Sequence, residues 1–280
     1  MLADVLLRLT IVVGLMLPVA LVLFVGRERL WQLQHDWRDR VRTCAPALAL
    51  LAVTLVFNRW MRDTNPDTRF STYMTDTIRR IEGEFVLVFQ EIETWWLTEY
   101  FSWIYVYGYA FLLIFPGVAY FLLSDTRTFR RLVTAYALNY VLGVVLYVLV
   151  IAYGPRNVFL TEVEVATMLY DHSPEYQYLT REVNRNTNVF PSLHTSLAAT
   201  VGIFAYHTRA TYRAWFPVAV VLAASVAIST MYLAIHWAID VVAGLILAYA
   251  CVALSDRLVG RWTLTELRDE LRERLRTDRW

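Results

Sequence analysis

The chain contains no lysine; all 26 of its basic residues are arginines. Every fixed positive charge is therefore a planar guanidinium, and any phosphate contact that needs a cation must come from arginine. The bias fits a GC-rich coding sequence better than selection at any one position. Cysteine is almost absent as well. Cys44 and Cys251 stand alone in apolar stretches without metal-ligand spacing, which reads as packing rather than a disulfide or a zinc site. No internal repeat and no low-complexity linker interrupts the chain, so we expect one continuous helical domain. A signal peptide is not expected either. The first apolar stretch is led by Asp4 and Arg8 and followed by no clear small-residue cleavage site, so it reads as a retained helix.

What the chain has in abundance is apolar sequence. Hydrophobic residues make up 58% of its 280 positions and mean hydropathy is +0.42. A helix needs about 20 apolar residues to cross the hydrocarbon core. Seven stretches approach that length: 5–25, 44–58, 99–123, 132–153, 192–207, 214–233 and 236–254. The second is short and the fifth carries polar residues. The expected fold is all-α, a polytopic integral membrane bundle of six or seven transmembrane helices. We divide it into N-terminal membrane helices with an outer interfacial segment (1–98), a catalytic membrane core (99–255) and an amphipathic tail (256–280).

Net charge is only +1, but the arginines are sorted. Arg27, Arg29, Arg38, Arg40 and Arg42 fall in one connection, Arg127, Arg130 and Arg131 in another, and Arg209 and Arg213 in a third. The tail adds Arg257, Arg261, Arg268, Arg272, Arg274, Arg276 and Arg279. With seven spans all of these share one face, which the positive-inside rule makes cytoplasmic. The N-terminus is then expected outside and the C-terminus inside. The connections at 59–98 and 154–191, and the short one before His236, face outward.

Two segments outside the spans have recognisable character. The run from Thr75 through Phe89 is too charged to span and too apolar to float free, which suits an interfacial helix or helix pair. It fits a lipid-entry surface beside the site, although plain anchoring is the simpler reading. Trp95, Trp96, Tyr100, Phe101 and Trp103 read as an aromatic belt. In the tail, Thr263 and Glu266 form a possible capping box. Leu264, Leu267, Leu271 and Leu275 follow at helical spacing, as in an amphipathic helix on the inner surface.

The chemistry is concentrated in two short motifs. Pro191-Ser192-Leu193-His194 and Ser229-Thr230-Met231-Tyr232-Leu233-Ala234-Ile235-His236-Trp237-Ala238-Ile239-Asp240 each place a histidine at the edge of an apolar span. Ionisable residues there are costly and mark functional positions. His236 and Asp240 are four apart, so on a helix the carboxylate can hold the imidazole. Transfer of a phosphate ester requires a nucleophile, an acid for the leaving oxygen and donors for the phosphoryl oxygens. His236 suits the first role with Asp240 behind it, and His194 suits the second. Pro191 and Ser192 stand where a loop becomes a helix, whose free N–H groups and dipole can cradle phosphate, with the Ser192 hydroxyl adding a donor. His35 and His207 read as cytoplasmic surface residues and His172 as a loop residue.

Both motifs resemble those of the type 2 phosphatidic acid phosphatase superfamily, whose second motif ends in PSGH or PSLH and whose third reads roughly SRxxxxxHxxxD. The resemblance implies that His236 becomes phosphorylated, that His194 protonates the leaving group, and that neither metal nor cofactor is needed. Two of that family's cations are missing. Its first motif has a lysine and then Arg-Pro, whereas the corresponding stretch here is Tyr153-Gly154-Pro155-Arg156-Asn157; Thr230 stands where the third motif has arginine. Arg156 is the candidate phosphate-binding arginine, and Arg181 and Arg185, ahead of PSLH, are candidates to supply the missing charge. PSLH, the short first motif and the arginine-free third motif resemble the inositol phosphorylceramide synthase branch and its prokaryotic relatives. That branch transfers a phospho-alcohol head group between lipids, and a singly charged phosphodiester donor tolerates fewer cations.

The leading expectation is therefore an enzyme, an integral-membrane lipid phosphatase working through a phosphohistidine. A head-group phosphotransferase is the alternative, followed by a non-catalytic lipid-binding protein. Its expected partners are a lipid phosphate substrate and the bilayer. No nucleic acid is expected, and a homo-oligomer is permitted. The expected location is the cell membrane with the site on the extracytoplasmic face.

Overall fold

The computed structural model describes residues 2–64, 71–159 and 186–260. Long apolar helices dominate: α1 (Leu2–Ala20), α2 (Arg27–Thr64), α5 (Trp95–Trp103), α6 (Tyr109–Phe121), α7 (Arg127–Leu149), α9 (Leu193–His207), α10 (Trp215–Tyr232) and α11 (Ala238–Leu258). Shorter ones, α3 (Thr75–Glu82), α4 (Val88–Glu91) and α8 (Pro155–Phe159), lie between them. A two-stranded parallel sheet pairs β1 (Thr72–Tyr73) with β2 (Val150–Ile151). This is the all-α polytopic bundle the hydropathy predicts.

Six stretches are long and apolar enough to cross a membrane: Ala3–Val25, Trp37–Met61, Trp95–Phe121, Arg127–Leu149, Trp215–Tyr232 and Ala238–Leu258. The second is longer than its apolar run suggests, because it lies within one continuous helix. The fourth ends sooner than expected, where β2 takes over at Val150. Helix α9 has 15 residues, about 22 Å at 1.5 Å per residue. It is too short to span alone, yet it runs from one end of the bundle to the other, packed against α7, α10 and α11.

Turns of five residues per hydrogen-bonded loop break two of these stretches, at Leu21–Val25 and Ile104–Gly108. The first stops at Gly26, whose φ of 84° suits glycine. The second inserts a residue into the turn and so rotates the helix beyond it. Upstream, Trp95, Trp96 and Tyr100 face outward as a belt should, while Phe101 and Trp103 turn inward to pack near Tyr105 and Tyr232. Residues 104 to 108 are then buried without a break.

The two ends of the bundle differ in chemistry. At one, Arg40 reaches the carbonyls of Phe121 and Leu123, and Arg127 and Arg131 pair with Asp256 at 3.5 and 3.2 Å. Arg29 lies 4.7 Å over Tyr212, and Tyr212 donates to the Ala119 carbonyl. Arginines assigned to separate connections thus gather at one end. His207 is exposed there; the side chains of His35 and His172 lie outside the described residues, as does the tail beyond residue 260.

At the other end the segment from Thr72 to Ile92 forms a cover. Ile78 and Val86 pack inward with Phe159, Val189 and Trp237, while Ile81, Phe85, Val88 and Ile92 stay exposed. The segment therefore has one buried and one exposed apolar side. The segment is stitched down by β1–β2 pairing, by the Met74 N–H on the Ile151 carbonyl (2.9 Å) and by the Tyr153 N–H on Thr75 (3.0 Å). Gly154 passes so close to the Ile235 carbonyl that a Cβ would collide with backbone. Gly154→Ala is therefore expected to destabilise the protein by about 2 kcal/mol or more, read as a lower thermal midpoint in detergent. Gly14→Ala, where a Cβ meets nothing within 4 Å, is the matched control and should be neutral.

Candidate functional site

Helix α10 ends at Tyr232, and Ala234 then adopts a φ of 52°, uncommon for a residue with a side chain. This left-handed turn folds the chain back so that the N–H groups of Ile235 and His236 both reach the Thr230 carbonyl at 3.0 Å. The strained residue sits two positions before the candidate nucleophile. Helix α11 begins immediately afterwards. Asp240, in its first turn, accepts the Trp237 N–H through Oδ2 at 2.8 Å, closing the helix start.

The same Oδ2 lies 3.5 Å from His236 Nδ1, with the two side chains 0% and 1% exposed. That separation is an ion-pair contact but long for an N–H···O bond. The firm bond of Asp240 is to the backbone, and its contact with the imidazole is an ion pair only when His236 is protonated. His236 lies in the connection between spans. Burial disfavours its protonated form more than any neighbour does; the Arg156 charge adds to this and the Val189 carbonyl opposes it.

The second motif is held against the first. The Phe190–Pro191 bond is cis, and Ser192 caps α9, its Oγ accepting the Thr195 N–H at 3.3 Å and donating to Thr195 Oγ1 at 3.0 Å. Its own N–H donates to the Asp240 carbonyl at 3.0 Å. Gly244 makes this approach possible, since a Cβ there would meet the Ser192 carbonyl at 2.5 Å. The start of α9 is thus tied to the start of α11. His194 comes within 6.3 Å of His236, ring centre to ring centre.

The stretch from Tyr153 to Asn157 wraps the His236 turn. The Arg156 N–H donates to the Ala234 carbonyl at 3.0 Å, Trp237 Nε1 to the Tyr153 carbonyl at 2.9 Å, and Arg156 Nη2 reaches Asn186 Oδ1 at 3.4 Å. The structure therefore brings together His194, His236, Asp240, Ser192 and Arg156. Arg181 and Arg185 lie outside the described residues. Both ring nitrogens of His236 and Oδ1 of Asp240 are buried and make no hydrogen bond of good geometry among the described residues; the Val189 carbonyl acts on the imidazole without completing one. Such atoms are costly unless an occupant satisfies them. No group of three His, Cys, Asp or Glu side chains that would hold a metal occurs among those residues.

Sequence reasoning missed Glu82. From the covering segment, its two carboxylate oxygens accept the N–H groups of Ala238 and Ile239 at 2.9 and 3.0 Å. Together with Asp240 it satisfies three of the four open N–H groups at the start of α11. Partial burial raises the Glu82 carboxyl above its usual range against the pull of these two N–H groups, and Asp240 raises it further. No local pattern reveals this contact, because its partners are 156 and 157 residues away. Tyr105 and Tyr109, both packed on His194, were missed as well; their only signal is an i, i+4 spacing within an apolar stretch.

A membrane bundle with a buried histidine backed by a carboxylate and a half-buried histidine beside it defines the class. A PAP2 superfamily model matches residues 80–254, which include every described site residue. The chain belongs to the PAP2 superfamily, whose members are generally phosphatases or phosphotransferases. No curated protein and no solved structure matches it.

Glu82→Ala should lower stability by about 1 kcal/mol, the scale of a lost helix cap discounted for partial exposure. The check is the thermal midpoint in detergent; an unchanged midpoint would show that water replaces the carboxylate without cost.

Proposed function

We propose that the protein is a metal-independent lipid phosphatase working through a phosphohistidine. The observation that carries this reading is the approach of His194 to His236 at 6.3 Å, with Asp240 Oδ2 3.5 Å from His236 Nδ1. Asp240 sits at Nδ1, so Nε2 is the nitrogen left to attack phosphorus. As the P–N bond forms, the P–O bond to the lipid alcohol breaks and its electron pair stays on oxygen. His194 delivers the proton that makes the alcohol neutral, a role worth ~10²–10⁴ in rate. Asp240 stabilises the positive charge that develops on His236. Water then attacks phosphorus while His194, now neutral, accepts its proton. The P–N bond returns its electrons to Nε2, and inorganic phosphate leaves.

Arg156, the Ser192 turn and the start of α9 supply the phosphate cradle. Arg181 and Arg185, in the connection that leads into Pro191, are proposed to complete it. Head-group transfer of the inositol phosphorylceramide synthase type is the second reading. It is favoured by the charge at the site: Arg156 is the arginine whose charge acts on His236 among the described residues, which suits a singly charged phosphodiester. The chemistry is the same except that a lipid alcohol replaces water. The positive-inside rule places the arginine-bearing end in the cytoplasm, hence the site on the extracytoplasmic face of the cell membrane and the C-terminus inside.

The deciding measurement is phosphate release from a panel of lipid phosphates in detergent. Wild-type protein should release phosphate and His236→Ala should lose at least about 10³ in rate. Release by both would remove His236 as nucleophile; release by neither, with head-group exchange in the wild type, would select transfer. Orientation is checked with a membrane-impermeant maleimide on intact cells. A cysteine at Thr72 should label and one at Ala210 should not; the reverse would invert the topology.

A further inference from the structure

We propose that Tyr105 and Tyr109 form an aromatic clamp that positions His194 as the proton donor. The inference deepens the phosphatase reading and rests on it for the donor role, though not for the geometry. Two tyrosine rings lie against one imidazole: Tyr105 is stacked on His194 at 4.6 Å with 25° between planes, and Tyr109 sits at 4.6 Å with 42°. No other histidine described here has comparable company; His207 meets Phe204 and Tyr206 only at 6.4 and 6.1 Å.

The backbone is arranged to make this contact. Tyr105 lies in the widened turn at Ile104–Gly108, and Tyr109 is the first residue of α6 beyond it. Such insertions in membrane helices cluster at functional positions because they redirect side chains that a regular helix would send elsewhere. Here the insertion takes a helix that shows Trp95, Trp96 and Tyr100 to its surroundings and turns two tyrosines onto His194. The stretch Trp95–Phe121 thus joins a site otherwise built from α9, α11 and the turn between α10 and α11.

Stacking also suits the task. A proton donor must be imidazolium before the leaving oxygen departs and imidazole afterwards. Aromatic faces attract the cation through their quadrupole and still pack well on the neutral ring. The clamp can hold His194 through both states without a fixed anion, which would trap the proton. Nothing in this role requires the tyrosine hydroxyls, so phenylalanine should serve where leucine fails.

Two measurements test it. In the first, Tyr105→Leu and Tyr109→Leu should each lower kcat on an alkyl lipid phosphate about tenfold, the scale of a desolvated cation–π contact, with KM unchanged. The first-turnover burst of p-nitrophenolate from p-nitrophenyl phosphate, whose leaving group departs without an acid and before His194 is needed as a base, should not slow, and Tyr105→Phe and Tyr109→Phe should recover the lipid rate. Equal loss on both substrates would mean that the tyrosines only support the fold, and would overturn the positioning role. In the second, histidine-selective NMR in detergent reads the clamp directly, with His194→Ala assigning the signal. The stacked rings should move the His194 ring protons upfield in the wild type and the phenylalanine variants, and the shift should disappear in the leucine variants. An unchanged His194 signal in the leucine variants would overturn the clamp. If wild-type protein shows neither phosphate release nor head-group exchange while the NMR shift behaves as stated, the geometry stands and the donor role falls with the proposed function.

Discussion

Asp240 does three things from one position. Its carboxylate closes the first turn of α11, the same oxygen faces His236 Nδ1, and its carbonyl receives the Ser192 N–H from the other motif. A fully buried carboxylate in an apolar bundle is tolerated only when polar groups surround it, and removing the partner of a buried charge costs about 3–5 kcal/mol. The site and the fold therefore share their determinants at this point. Whatever holds Asp240 also fixes the distance between the two histidines.

The rest of the site end is arranged around that constraint. Glycine at 244 lets the start of α9 approach α11, glycine at 154 lets the Tyr153–Asn157 stretch pass over the His236 turn, and Ala234 accepts a strained conformation so that the turn closes. Glu82 joins the start of α11 to the covering segment, whose other face is apolar and exposed. A single covering layer thus contacts the helix that carries Asp240 on one side and presents exposed apolar residues on the other. The opposite end needs no such precision. Its arginines satisfy helix-end carbonyls, stack on aromatic rings and pair with Asp256, contacts that are individually weak and together keep one end charged.

Loss of two family cations has a physical counterpart in the site. Phosphoryl groups can be held by helix-start N–H groups as well as by arginine or lysine. The motif turn at Pro191–Ser192 opens onto α9, and the buried nitrogens of His236 with Oδ1 of Asp240 make no hydrogen bond of good geometry among the described residues. On the proposed head-group-transfer reading, a donor bearing less charge than a phosphomonoester dianion suits such a cradle.

The sequence alone determined the class of fold, because apolar runs long enough to span a bilayer have few other stable outcomes. It also picked out His194, His236 and Asp240, because polar residues stand out against an apolar background, and it sorted the arginines that the structure gathers at one end. Only the tertiary structure decided which further residues surround the histidines. Glu82 reaches α11 across more than half the chain, and the tyrosines reach His194 because one widened turn rotates their helix. Such contacts leave no periodicity to read: they depend on how helices pack and on single-residue insertions in the backbone. Spacing along the chain records what one helix does by itself, whereas a site at the meeting of four segments is specified by their packing.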